Sequence, residues 1–206
     1  MTVYLHEGDL PADVMADAKT IAVDSETMGL HPHRDRLCVV QISAGDGDAH
    51  LVKFSANQPY QAPNLSAMLA NPRKLKIFHY ARFDIAVIEQ YLGVTCAPVY
   101  CTKIASRLTR TYTDRHGLKD LCRELLGVDL SKQQQSSDWG ADVLSDAQQN
   151  YAASDVLYLH QLMAVLEERL AREGRSKLAA ACFQFLPTRA ALDLRGWPDQ
   201  DIFAHS

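Results

Sequence analysis

At 206 residues the chain is long enough to bury one sizeable core and too short for two comfortable domains. Apolar residues make up 47% and charged residues 22%, as in a soluble globular chain, and a formal charge of −4 excludes whole-molecule attraction for a polyanion, which must be met by a local basic patch or a bound metal. Five cysteines without a Cys-x-x-Cys pair argue against a disulfide framework or thiolate zinc site and fit a cytoplasmic chain, while the acidic stretch Glu7, Asp9, Asp13, Asp17 is no signal peptide and no segment reaches membrane-spanning length.

In chain order, Val3-Tyr4-Leu5 reads as an entry strand and Pro11 to Ala18 as a turn or helix. Thr20 to Glu26 is a short buried strand, marked by β-branched Ile21 and Val23. Side chains alternate along a strand, so Asp24 and Glu26 share one face at its end. Thr27 to Leu30 and a polar turn, His31 to Arg36, lead into the apolar run Leu37 to Ser43. Gly45-Asp46-Gly47-Asp48 is a hairpin turn and His50 to Phe54 the returning strand, giving an antiparallel meander of three strands. Asn64 to Ala70 reads as a helix closed by Asn71-Pro72, and Lys76 to His79 as another strand. A helix from Arg82 to Leu92 follows, with Gly93 as its C-cap. Thr102 is placed to cap a helix running to about Tyr112, and Gly117 to Leu126 is a further helix. Residues 131–140 are polar and irregular. Ser145 to Arg172 carries a long helical pattern on Leu157, Leu162, Val165, Leu166 and Leu170, and Leu178 to Leu186 continues helical. The expected class is α/β, a mixed sheet flanked by helices.

Four acids stand out by position. Asp24 and Glu26 close the first core strand, Asp84 falls in the first turn of the helix after a strand, and Asp155 shares a helix face with Tyr151 four residues earlier. Singly, each has an ordinary reading: a solvated loop, a first-turn acid favoured by the helix dipole, a surface acid, a core aromatic. Together, at strand and helix mouths, they point to a divalent cation between like charges. Lys103, Arg107 and Arg110 fall on one face of a predicted helix. With Arg115, His116 and Lys119 they form the densest basic cluster, which is either a solvated face or a phosphate-holding patch. The Gln133 to Ser137 run, with Gln134 in it, reads as a loop beside the site.

Asp24-x-Glu26, then Phe78-His79-Tyr80-Ala81-Arg82-Phe83-Asp84, then Tyr151-Ala-Ala-Ser-Asp155, in that order, resemble the three exonuclease motifs of the DEDD superfamily, Tyr variant. The run from Asp35 to Ile42, Gly117-Leu118-Lys119 and Ser137-Asp138-Trp139 resemble its ribonuclease D group. Thr102 to Gly117, Ser131 to Trp139, Phe185 to Trp197 and Ile202 to Ser206 extend the resemblance to the nanoRNase C family over nearly the whole chain. One departure from ribonuclease D is Trp139-Gly140-Ala141, where that group has Arg-Pro after the tryptophan, so its substrate preferences do not transfer directly.

The resemblance implies a ribonuclease H-like (DnaQ-like) exonuclease fold in one domain, 1–206, with 175–206 a helix and tail serving a homo-oligomer, an octamer. It implies a metal-dependent 3′-5′ exoribonuclease on very short RNA, above all 5′-phosphorylated diribonucleotides. The alternatives are a broader ribonuclease D-like exonuclease on longer RNA or DNA and a non-enzymatic RNA-binding protein. Two Mg²⁺ or Mn²⁺ ions would sit on Asp24, Glu26, Asp84 and Asp155, with Tyr151 holding the attacking water and receiving its proton, a poor base that relies on metal-lowered water acidity. Leu30 would wedge between bases, unless it is a core leucine. Thr27, His79, Arg82, Arg107, Arg110, Arg115 and Gln134 are the expected substrate contacts, with His79 alternatively a structural histidine.

Overall fold

The computed structural model describes residues 2–131 and 133–205; Lys132, in the Ser131 to Trp139 stretch, and Ser206, at the end of the tail, lie outside them. Six strands form one mixed sheet in the order β1-β4-β3-β2-β5-β6. They span Val3–Glu7, Thr20–Thr27, Leu37–Ser43, Ala49–Lys53, Leu75–Phe78 and Val99–Cys101. The expected meander is present: β2 pairs antiparallel with β3, and β3 with β4. β5 then lies parallel to β2, and β6 parallel to β5, while β1 closes the other edge parallel to β4. All seven residues of β3 are buried, because the strand is central and covered on both faces.

The helices are α1 (Pro63–Ala70), α2 (Ala81–Leu92), α3 (Thr102–Thr109), α4 (Leu118–Leu121), α5 (Asp146–Leu157), α6 (Leu159–Arg172) and α7 (Ser176–Leu194). α5 packs across β1 to β4, whereas α2 packs against β2, β3, β5, β6 and α7. Ser145 starts α5 with a capping box, its hydroxyl accepting from Gln148 N while the Gln148 side chain takes the Ser145 N–H. No helix among the described residues is long and apolar enough to cross a membrane.

Several elements depart from the sequence reading. The long helical pattern is two helices, meeting at Tyr158. Thr102 does not cap α3. Cys101 holds that position, and the Thr102 hydroxyl instead donates to the Phe78 carbonyl, which ties α3 to β5. α4 is a single turn, followed by a π-helical turn over Cys122–Leu126 that ends on Gly127 at φ 70°. α7 runs past Pro187 to Leu194, eight residues beyond the expected end, the ring costing one backbone hydrogen bond without ending the helix. The tail then folds back. Arg189 donates to the Trp197 carbonyl at 2.6 Å, and Phe185 meets Phe203 at 6.0 Å between ring centres.

Candidate active site

β2 delivers Asp24 and Glu26 at its end, and α5 presents Asp155 to the same sheet face. Carboxylate oxygens of these three residues lie within 4.8 Å of one another. Asp84 comes from α2 and stands outside that trio. It is buried, and its Oδ1 accepts a 2.6 Å hydrogen bond from Ser25 Oγ. Strand alternation explains the split: Asp24 and Glu26 point one way, and Ser25 between them points toward α2. On the other side of Asp24, the directly opposed Gln41 of β3 donates its Nε2–H to Asp24 Oδ2 at 3.2 Å.

None of the four acids forms a salt bridge among the described residues. No ion pair therefore offsets the cost of burying their charge. Burial pushes Asp24 up to about 7, against the backbone hydrogen bond at Ser25. Glu26 is pushed up to about 10, by burial first and then by the charges of Asp24, Asp155 and Asp84. Asp84 and Asp155 are also held well above the carboxylate range, by burial and the nearby Asp24. Tyr151 is raised too, by burial and by Asp155, Glu26 and Asp24, so its phenol keeps its proton. Uncompensated carboxylates gathered at this spacing offer hard oxygen donors and excess negative charge. That donor set fits Mg²⁺ or Mn²⁺ and disfavours softer ions.

Asp24, Glu26 and Asp155, but not Asp84, line a cavity of about 670 Å³, together with Tyr151, Thr27, Leu30, His79 and, from the irregular segment, Gln135, Ser136 and Ser137. Leu30 is 80% exposed at its rim, which removes the core alternative. The Thr27 hydroxyl donates to the Gly29 carbonyl and braces that turn. A Cβ at Gly29 would collide with the Asp35 carboxylate, which Arg34 and the His31 N–H hold in place, so the close turn before Leu30 favours glycine. His79 is held neutral by burial and by nearby Lys103, its pKa down to about 3, with Nδ1 2.9 Å from Thr102 Oγ1.

Five of the expected substrate contacts are not brought to the cavity. Arg82 is captured by Asp193 of α7 through bonds of 2.6 and 2.7 Å, because a bidentate carboxylate outcompetes solvent for a guanidinium. Arg110 is fully buried and spent on Glu124, Ser106 Oγ and the Arg115 carbonyl. Arg107 and Arg115 are exposed away from the cavity lining. The Gln134 side chain accepts from Ser137 Oγ at 2.6 Å and braces the loop from within. Lys103 and Lys119 of the basic cluster do line the cavity, as do Trp139 and Phe83, which strand and helix patterns do not single out. Lys103 is steered by Tyr80, its Nζ 4.4 Å from the ring centre. Strand and helix spacing held no signal for Trp139, whose place depends on how residues 133–140 fold beside the cavity.

Residues 11–171 match the family model described as 3′-5′ exonuclease. A solved structure of Brucella melitensis NrnC with bound Mg²⁺ is 59% identical, with each chain covering 100% of the other and a TM-score of 0.95. The chain belongs to the NrnC group of 3′-5′ exonucleases. A second Brucella melitensis NrnC structure, bound to pGG, is 60% identical over 100% of both chains, with a TM-score of 0.96. Outside the NrnC group, ribonuclease D of Acidiphilium cryptum is 36% identical over 163 residues, covering 79% of this chain and 41% of that protein. The chain thus spans about two fifths of the length of the curated ribonuclease D relatives it matches. Escherichia coli RNase D, at 24% identity and a TM-score of 0.76 over 87% of this chain, shares the ribonuclease H-like exonuclease fold.

Proposed function

We propose that this nuclease is a metal-dependent 3′-5′ exoribonuclease that hydrolyses very short RNA, 5′-phosphorylated diribonucleotides above all, to nucleoside monophosphates. The observation that carries this reading is the cluster of uncompensated carboxylates at the floor of a cavity rimmed by exposed Leu30. The pGG held by a 60% identical NrnC supports the substrate class.

Asp24, Glu26, Asp155 and Asp84 would hold two divalent ions, Mg²⁺ or Mn²⁺. When bound, such ions neutralise charge on the transferring phosphate and lower the pKa of water. The chain's own residues do the rest. Tyr151, protonated beside Asp155, orients the attacking water by hydrogen bonding and is a poor proton acceptor. Leu30 packs against a base. Thr27 and neutral His79 line the substrate path, and Lys103 and Lys119 supply the positive charge that Arg82 and Arg110 do not. The 206 residues act as one domain. The tail after α7, with Ile202 and Phe203 exposed, serves a subunit interface of a cytoplasmic homo-oligomer, an octamer. The test is a ladder of 5′-phosphorylated RNAs two to ten nucleotides long, with Mg²⁺ or Mn²⁺. Mononucleotides released from the 3′ end support the reading. Internal cuts, or turnover in excess EDTA, overturn it.

A further inference from the structure

We infer that Gln41 is a positioning residue of the catalytic centre, one that sets the orientation of the Asp24 carboxylate for its cation. The inference rests on the reading of Asp24 as a metal ligand. Gln41 lies mid-strand in β3, flanked by Val39, Val40 and Ile42, in the most buried strand of the sheet. It is fully buried, its Cα pairs with that of Asp24, and its Nε2 reaches Asp24 Oδ2 at 3.2 Å. Its other end makes no hydrogen bond among the described residues: Oε1 is buried without a partner there.

A half-satisfied amide in an apolar strand does not serve stability, since an apolar side chain of the same volume would fill the space without an orphaned acceptor. What the amide supplies is one uncharged donor aimed at one oxygen of one carboxylate. A lysine or arginine there would pair with Asp24 and compete with a cation for the same oxygen. The amide fixes Oδ2 and leaves Oδ1 and the remaining lone pairs free to coordinate, as groups behind a metal ligand commonly do. Ser25 stands in the same relation to Asp84, by a 2.6 Å bond from its hydroxyl.

The test compares wild type, Gln41→Met and Asp24→Asn. Gln41→Leu covers the case in which Met packs badly. Mn²⁺ binding by titration calorimetry, the Mg²⁺ concentration giving half-maximal turnover, and the melting temperature without metal are measured for each. The expected result for Gln41→Met is metal affinity weaker by about tenfold or more, with a parallel shift in the Mg²⁺ midpoint. Its metal-free melting temperature stays close to wild type. A fall in melting temperature with an unchanged metal midpoint, in both Met and Leu variants, makes Gln41 a packing residue and overturns the inference. If Asp24→Asn itself retains turnover and metal binding, the ligand assignment fails first, and the two failures are separable.

Discussion

Replacing Glu26 with Gln should abolish turnover and make the metal-free protein more stable. A carboxyl whose folded pKa is raised stays protonated in the fold while it ionises in the unfolded chain. Stability is therefore lost as pH climbs from the unfolded value toward the folded one. For Glu26 that window runs from 4.5 to about 10. The loss accumulates at about 1.4 kcal/mol per pH unit, so by pH 8 it amounts to about 5 kcal/mol at most. Glutamine has the same shape and no proton to hold, so Glu26→Gln escapes it. For a chain of this length that is on the order of 10 °C in melting temperature. The assay is thermal unfolding in EDTA from pH 4 to 9. The gap between variant and wild type should be near zero at pH 4 and widen with pH. Saturating Mg²⁺ should narrow it, because the ion stabilises wild type by binding the fold alone. A variant no more stable than wild type at pH 8, with a flat pH dependence, refutes the view that Glu26 sits in an uncompensated cluster.

Tyr151→Phe should lower kcat by about 10² or more with little change in KM, because the phenol contributes to orienting water and not to holding substrate; a raised KM at full kcat would make it a binding residue. Leu30→Ala should raise the dissociation constant for a diribonucleotide, measured in an Asp155→Asn background that cannot cleave, while leaving Mn²⁺ affinity unchanged; equal affinity would remove Leu30 from the substrate path. Removing residues 195–206 should lower the mass of the proposed homo-oligomer in light scattering, since Trp197, Ile202 and Phe203 are exposed; an oligomer with the same number of chains would place the interface elsewhere, and a monomeric full-length protein would end the oligomer proposal.

What the sequence made legible was local. Alternation along β2 put Asp24 and Glu26 on one face, and a four-residue step put Tyr151 and Asp155 on one helix face, and both hold in the structure. Gly93 ends α2 at φ 67°, as a C-cap glycine does. What was not legible depends on register and docking. Nothing near Arg82 announces Asp193, which lies 111 residues away in sequence. Arg110 looked like one of a row of surface cations, but the turn after α3 and Glu124 close over it. The Asp84–Ser25 and Asp24–Gln41 contacts require knowing which helix covers which face and how β2 pairs with β3. A polar amide inside an otherwise apolar strand was the available sign of Gln41.

The measurement that bears most directly on the account is the rate of mononucleotide release from a 5′-phosphorylated diribonucleotide and from a long single-stranded RNA. The two are presented at equal concentration of 3′ ends, with Mg²⁺, in separate reactions and in competition. The account predicts that the diribonucleotide is consumed first and blocks the longer RNA. Equal or faster degradation of the long RNA, undisturbed by the diribonucleotide, would contradict it and leave a general 3′-5′ exonuclease.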